Sequence, residues 1–227
     1  MSAPLRLVIF DVDGTLVDSQ ATILSGMAAA FACVDQPLPD RQTLLGVVGL
    51  SLEVIFPVLA PELSEAAHAK MVATYKHTYM TERAEAGVVQ STPFYPGALE
   101  TLHALNAVPD ILLGVATGKS KRGLDKLIEG YDLHGLFVTQ QVADFHPSKP
   151  HPSMILQAMA DAGVDAVDTV MIGDTSFDME MAAAAGVRGI GVSWGYHGRE
   201  RLHHADVVVD DYPGLNNVLK EMWSAAS

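Results

Sequence analysis

The sequence is short of basic residues. Its 227 residues include 14 Lys and Arg against 27 Asp and Glu, which gives a formal net charge of −13. Because a nucleic-acid binder needs a cationic surface to displace the counterions around phosphates, this balance excludes nucleic acid as a partner. A membrane-surface role is excluded on similar grounds, since anionic lipids would repel the chain.

Cysteine and long apolar runs are equally scarce. The single cysteine, Cys33, cannot form an intrachain disulfide, which agrees with a reducing compartment. No apolar run approaches the ~18 residues of a membrane span. The run at residues 7–10 is too short for the core of a signal peptide. We therefore expect a cytoplasmic protein without a membrane segment.

Six short apolar and β-branched runs predict strands, and most are followed by a helical pattern. Because these runs are continuous and not alternating, we expect strands that are covered on both faces. The predicted fold class is therefore α/β, a doubly wound, Rossmann-like parallel sheet. The predicted strands are residues 5–10, 111–116, 136–138, 169–172, 189–192 and 206–209.

A long helical interval separates the first predicted strand from the second. Within it, Met71, Tyr75 and Tyr79 follow helical spacing, and we interpret them as the apolar core of a small helical insertion. Prolines and a glycine near residues 91–97 predict the return to the sheet. We therefore expect an α/β core domain at residues 1–17 and 91–227, with a helical domain at residues 18–90.

The residues after the first two strands can perform chemistry, because ligands bind outside the carboxyl ends of parallel strands. Asp11 and Asp13 follow the first strand and can converge on a cation or divide into nucleophile and acid/base roles. With Gly14 they could equally form a turn without function. Thr117 and Gly118 follow the second strand and could form an anion site or a simple helix cap.

Two later segments add a cation and two carboxylates. Lys149 is the one cation in the segment at 148–153, where a solvated surface lysine is the alternative interpretation. Asp174 stands at a strand end, and Asp178 follows one helical turn later, so both can face the same point. Thr175 and Asp178 also have the spacing of a capping box, in which Asp178 would serve only its own helix.

Taken together and in this order, four motifs resemble those of the haloacid dehalogenase superfamily of phosphohydrolases. They are FDVDGTLVDS at 10–19, ATGKS at 116–120, SKPHPS at 148–153 and IGDTSFD at 172–178. The chain is most similar to the phosphoglycolate-phosphatase-like members, and its insertion resembles their helical type-1 cap. The resemblance implies a magnesium-dependent phosphoric monoester hydrolase for a small phosphorylated metabolite, with 2-phosphoglycolate as the best candidate.

The resemblance also implies a role for each site residue. Asp11 would attack phosphorus as the nucleophile, and Asp13 would be the general acid and base. The phosphoryl group would be held by Gly14, Thr117, Gly118 and Lys149. Mg²⁺ would be bound by Asp11, the backbone carbonyl of Asp13, Asp174 and Asp178, the last of these directly or through an intermediate group. In the small apolar loop at 46–51, the candidates for substrate contact are Gly49 and Ser51.

Two other functions remain open from the sequence. A sugar phosphomutase of the same fold, similar to β-phosphoglucomutase, would return the phosphoryl group from Asp11 to a second hydroxyl. A non-catalytic binding protein on this scaffold would be favoured by the loss of a catalytic carboxylate, and none is missing. An aspartate at position 13 favours phosphoester chemistry within the resembled family. We expect a monomer or a homodimer.

Overall fold

The computed structural model describes residues 4–224, and within them the chain forms six strands and ten α-helices. The strands are β1 (Arg6–Phe10), β2 (Ile111–Thr117), β3 (Thr139–Val142), β4 (Thr169–Gly173), β5 (Arg188–Val192) and β6 (Val207–Val209). The helices are α1 (Gln20–Ala32), α2 (Arg41–Leu45), α3 (Leu52–Leu59), α4 (Glu65–Ala86), α5 (Val88–Ser91), α6 (Ala98–Asn106), α7 (Lys121–Gly130), α8 (Ser153–Ala162), α9 (Ser176–Ala185) and α10 (Tyr212–Ser224).

The described strands form one parallel sheet in the order β3-β2-β1-β4-β5-β6. β1 lies between β2 and β4, with Arg6 opposite Ile111 and Leu7 opposite Thr169. In this order the direction of winding reverses beside β1, and ligands bind at such a switch point. The predicted α/β doubly wound fold is confirmed, and it places the ends of β1 and β4 side by side.

Helices cover the sheet on both faces because each central strand is apolar on both sides. Along β1, Val8 and Phe10 pack into the cluster that includes residues of α6, α7 and α10. Leu7 and Ile9 point to the opposite face and pack with residues of α8 and α9. All four side chains are fully buried. The period of two along a strand therefore produces a three-layer core.

The prediction of a strand at residues 136–138 is wrong. The third strand is β3, Thr139–Val142, and Leu136 and Phe137 are buried in the loop that precedes it. β3 lies at the edge of the sheet and contains two glutamines, so it lacks the apolar run that identifies the central strands. Leu136 and Phe137 are apolar because they are buried in the core, whereas Val138 is exposed.

Helices α1 to α4, which we call the cap, have an apolar core of their own. Their cluster includes Ile23, Phe31, Phe56 and Met71, none of which belongs to the two sheet clusters. Met71 is fully buried there, as its place in the helical stripe predicts. Within residues 4–224, no helix is both long and apolar enough to cross a membrane.

The two chain segments that join the cap to the sheet run side by side. Val17 forms an antiparallel bridge with Phe94, and the Tyr95 amide donates to the Leu16 carbonyl at 2.9 Å. On the cap side, α5 extends across residues 90 and 91, where the sequence predicts the domain boundary. The boundaries at 17/18 and 90/91 stay a prediction.

Candidate functional site

Three buried carboxylates meet at the point where β1 and β4 end. Asp11 follows β1, and its amide donates to the Ile172 carbonyl of β4 at 2.9 Å. Asp174 follows β4, and Asp178 lies in the first turn of α9. One carboxylate oxygen from each of these three residues lies within 4.8 Å of the others. The parallel register therefore brings together groups that are more than 160 positions apart in sequence.

Lys149 lies between two of these carboxylates and is fully buried. Its ammonium is 2.8 Å from Asp11 Oδ1 and 2.6 Å from Asp178 Oδ1. Burial disfavours the charged ammonium, but attraction to Asp11 and Asp178 outweighs it, so the pKa of Lys149 rises above its ordinary value. The alternative of a solvated surface lysine is therefore wrong. With all three carboxylates ionised, one lysine leaves two negative charges uncompensated.

The pKa values of two of the carboxyls reflect this uncompensated charge. Burial raises the pKa of Asp11 to about 6, with attraction to Lys149 opposing and repulsion from Asp178 adding to the shift. Burial, followed by repulsion from Asp178 and Asp11, raises the pKa of Asp174 well above its ordinary value. Both groups need a further positive charge to be fully ionised near neutral pH.

Each oxygen of Asp174 is held by a neighbouring loop. Thr15 Oγ1 donates to Asp174 Oδ1 at 2.8 Å, and the Tyr196 amide donates to Asp174 Oδ2, also at 2.8 Å. Gly14, at a φ of 91°, allows this close approach, because a Cβ at that position would lie 2.3 Å from Asp174 Oδ2. Gly14 therefore allows the loop after β1 to pack directly against the Asp174 carboxylate.

Asp178 combines the two roles that the sequence leaves as alternatives. Its Oδ2 accepts from the amide of Thr175 at 3.0 Å and from the Thr175 hydroxyl at 2.7 Å, completing a capping box at the start of α9. Its Oδ1 lies 2.6 Å from the Lys149 ammonium, and one of its oxygens belongs to the carboxylate triad. The capping box therefore orients Asp178 toward the charged cluster.

Asp13 belongs to a separate polar group on the cap side of Asp11. Its Oδ1 accepts from Ser19 Oγ at 2.5 Å and from the Lys119 ammonium at 2.8 Å. Lys119 also donates to the Tyr79 hydroxyl at 3.0 Å, so this one ammonium links the sheet to α4 of the cap. The Asp13 side chain is not a member of the carboxylate triad among the described residues.

The loop after β2 is in direct contact with the cap loop at residues 46–51. Thr117 is buried at the end of β2, and its hydroxyl accepts from the Lys119 amide at 3.1 Å. A Cβ on Gly118 would lie 2.7 Å from the carbonyl oxygen of Gly49. Gly118 and Gly49 are therefore both at the site, with their backbones in contact. Ser51 lies nearby, and its amide donates to the Ser148 hydroxyl at 2.9 Å.

A cavity of about 320 Å³ lies between the cap and this edge of the sheet. Asp11, Asp13 and Thr117 line it on the sheet side, and Gly49 lines it on the cap side. Ser51 lies instead in a second, more polar cavity that shares Gly118 with the first. Seven apolar residues of the cap line the first cavity: Ile23, Met27, Val48, Leu50, Leu52, Ile55 and Met80.

Three residues at the site are not among the site residues that the sequence predicts: Ser19, Tyr79 and Lys119. Lys119 lies in the ATGKS motif and Ser19 ends the FDVDGTLVDS motif, so closer attention to the polar positions of both motifs could have identified them. Tyr79 is different, because helical spacing favours a core position for it. In the structure Tyr75 and Tyr79 line the cavity as well as packing in the cap, so the interpretation of both as core alone is incomplete.

Comparisons with known proteins extend over nearly the whole chain. The sequence profile of the family described as Haloacid dehalogenase-like hydrolase matches residues 8–192. The chain is 37% identical over 213 residues to "Probable phosphatase IndB" of Dickeya dadantii (strain 3937), covering 91% of this chain and 90% of that protein. It is 34% identical over 224 residues to the phosphoglycolate phosphatase of Agrobacterium fabrum (strain C58), covering 97% and 95%.

The likeness holds for the structure as well. A haloacid dehalogenase-like hydrolase of Streptococcus pneumoniae superimposes with a TM-score of 0.79 at 25% identity. The superposition covers 95% of this chain and 98% of that chain, so it includes the cap together with the sheet.

Proposed function

The chain belongs to the haloacid dehalogenase-like hydrolases, and from this premise we propose that it is a magnesium-dependent phosphatase that acts through an aspartyl-phosphate. Family membership confirms the resemblance that the four motifs indicate. The observation that supports the proposal most is the group formed by Asp11, Lys149, Asp174 and Asp178 beside an open cavity. Such a group can bind a cation and a phosphoryl group together.

In the proposed reaction, Asp11 and Asp13 share the covalent chemistry. A carboxylate oxygen of Asp11 attacks phosphorus, the bond from phosphorus to the leaving oxygen breaks, and Asp13 gives its proton to that oxygen. Asp13 then takes a proton from a water molecule that attacks the aspartyl-phosphate, which releases inorganic phosphate and restores Asp11. The contacts of Asp13 with Ser19 and Lys119 support this role, because they orient its carboxyl on the cavity side of Asp11.

The phosphoryl oxygens would be held by Lys149, Thr117 and the loops at Gly14 and Gly118. The ammonium of Lys149 lies 2.8 Å from the proposed nucleophile, so it can neutralise charge on the phosphoryl group during attack. Thr117 ends β2 on the same edge of the sheet and lines the cavity. We propose these four positions as the phosphate site.

Residues of the triad fit a divalent cation. Their donor atoms are all carboxylate oxygens, which magnesium prefers, and one oxygen from each residue lies within 4.8 Å of the others. We propose that Asp11, the backbone carbonyl of Asp13, Asp174 and Asp178 hold Mg²⁺. When bound, the ion would neutralise the charge that otherwise repels a phosphate group.

We propose 2-phosphoglycolate as the first compound to test, because the relative from Agrobacterium fabrum is named a phosphoglycolate phosphatase. The apolar loop that contains Gly49 supports a small phosphorylated metabolite over a sugar, which would need more hydrogen-bond partners. A mutase would leave the total of inorganic phosphate unchanged, whereas a phosphatase releases it. The lone Cys33 supports a cytoplasmic location, and we propose a monomer or a homodimer.

The experiment that tests the proposal is the Asp11→Asn variant in an assay of phosphate release. We expect kcat to fall at least ~10³-fold, as it does when other enzymes lose a covalent nucleophile. Asp18→Asn is the matched control, because Asp18 is an exposed residue of the same motif. Circular dichroism would show that both variants keep the fold. Retention of more than a few per cent of activity by Asp11→Asn would remove Asp11 as the nucleophile.

A further inference from the structure

The cavity beside Asp11 has a size that is informative about the leaving group. At about 320 Å³ it lies within the range of ~300–1,000 Å³ that is usual for pockets enclosing small-molecule ligands. Glycolate adds only a methylene and a carboxylate beyond the phosphoryl group, so it would occupy a small part of this volume. A larger leaving group would exclude more water from the reacting phosphorus.

The walls of the cavity are mostly hydrocarbon on the cap side. Met27, Val48 and Ile55 are buried and line the cavity, and they offer no side-chain hydrogen-bond donor. Glycolate would place its charged carboxylate beside these walls. Burying a charge against apolar groups without a partner is unfavourable, whereas burying hydrocarbon is favourable.

An aromatic surface completes the apolar wall. The rings of Tyr75 and Tyr79 stack with centroids 6.0 Å apart, and Tyr75 meets Phe56 edge to face at 6.3 Å. α1 packs against this surface, since a Cβ on Gly26 would lie 2.9 Å from the Tyr75 ring. Contacts with α1 and Phe56 therefore fix the position of the Tyr75 ring. The two tyrosine rings present a surface suited to a ring or a branched hydrocarbon.

The buried cations of the cavity already have partners. The Lys119 ammonium donates to Asp13 Oδ1 at 2.8 Å and to the Tyr79 hydroxyl at 3.0 Å. Arg83 donates to the Gly123 carbonyl at 3.2 Å and lies over the Tyr79 ring at 5.7 Å. The other lining cations, Lys76 and Arg122, are exposed to solvent. Each buried cation that lines the cavity therefore already contacts a protein group, within the part of the chain that the structure describes.

We propose that the preferred substrate is a phosphate monoester of an uncharged alcohol with a ring or a branched hydrocarbon group, which fills the cap cavity against Tyr75 and Tyr79. This inference rests on the proposed phosphatase function. It assigns substrate selection to the cap walls, while Asp11 and its neighbours act on the phosphoryl group common to all substrates. It ranks 2-phosphoglycolate, the first compound to test for phosphatase activity, below esters of larger uncharged alcohols.

The first test compares three alkyl phosphates with the wild-type enzyme and Mg²⁺. Benzyl phosphate, ethyl phosphate and 2-phosphoglycolate all release alcohols of low acidity, so differences in rate reflect binding more than leaving-group chemistry. We expect kcat/KM for benzyl phosphate to exceed each of the other two at least tenfold. Equal or faster turnover of 2-phosphoglycolate would overturn this inference and leave the phosphatase function standing. No phosphate release from any ester, in a panel extended to other phosphorylated metabolites, would overturn both.

The second test narrows the cavity with Met80→Trp. Met80 lines the cavity from α4, and a larger side chain there should reduce the space for a ring. We expect the ratio of kcat/KM for benzyl phosphate to that for ethyl phosphate to fall at least tenfold. Val58→Trp, at an exposed cap position away from the cavity, should leave that ratio unchanged. An unchanged ratio in folded Met80→Trp would count against the cavity as the site of selection.

Discussion

At the scale of single residues, the site depends on a buried lysine that compensates only part of the surrounding charge. Lys149 touches Asp11 and Asp178 and has no exposed side-chain surface. A charge in such a place is retained because its partners lower the cost of burial. The remaining negative charge is what makes the site suitable for a cation.

Removing this lysine should damage both stability and activity. For Lys149→Met we expect a loss of ~3–5 kcal/mol in the free energy of unfolding without metal, because two buried carboxylates lose their partner. We also expect kcat/KM to fall at least ~10²-fold with the loss of a donor to the phosphoryl group. Urea unfolding and phosphate release measure the two effects.

The exposed ion pair of Lys126 with Glu129 provides the control. Lys126→Met should change the free energy of unfolding by less than ~1 kcal/mol, since exposed pairs contribute little. If Lys149→Met were as mild as this control, Lys149 would not be the compensating charge of the site.

At the scale of elements, the loop after β5 joins the cap to the sheet domain. The Ser176 amide at the start of α9 donates to His197 Nδ1 at 3.0 Å, and His197 Nε2 donates to the Gly46 carbonyl at the end of α2, at 3.1 Å. Burial, with repulsion from Arg201, lowers the pKa of His197 to about 4. The imidazole is therefore neutral at pH 7, with one donor and one acceptor that match its two partners.

We predict that His197→Ala loosens this connection between cap and sheet. Amide hydrogen exchange in α2 should speed up ~5–10-fold, because a lost hydrogen bond is worth about 1 kcal/mol. Because folding favours the neutral imidazole, the contribution of His197 to stability is complete above pH ~6.5. That contribution is lost as the pH falls through about 4. The exposed His204→Ala is the control, and equal exchange in both variants would refute the role of His197.

At the scale of the whole molecule, acidity and stability are connected through the site. The net charge of −13 includes a buried triad whose members repel one another. The raised pKa of Asp11 means that folding favours its protonated form. The contribution of Asp11 to stability is complete below pH 3.8, which is its pKa in the unfolded chain. It is lost as the pH rises through about 6, its pKa in the folded protein.

We therefore predict how pH and magnesium change the stability of the metal-free protein. The free energy of unfolding of the wild type, minus that of Asp11→Asn, should fall by ~2 kcal/mol between pH 4 and pH 7.5, at ~1.4 kcal/mol per pKa unit. Mg²⁺ should reverse part of this loss at pH 7.5 and little of it at pH 4.5. Urea unfolding in chelator and in Mg²⁺ measures both effects, and a difference that rises with pH would contradict the charge balance described above.

Local sequence determined the fold class and the positions of the polar motifs. Continuous apolar runs identify β1, β2, β4 and β5, and polar residues follow directly at their ends. Since parallel strands share one edge for their carboxyl ends, Asp11 and Asp174 could be expected to meet. The run at residues 136–138 failed as a strand because burial of Leu136 and Phe137 in the core leaves the same apolar signal as pairing in a sheet.

The tertiary structure alone decided what surrounds the two aspartates of the first loop. Lys119 reaches Asp13 across 106 positions, and Tyr79 reaches Lys119 from the cap. Helical spacing predicts that Tyr75 and Tyr79 lie on one face, but not that this face also borders the cavity beside Asp11. The periodicity of a helix encodes which side is apolar, whereas the packing of cap on sheet decides which surface that side meets.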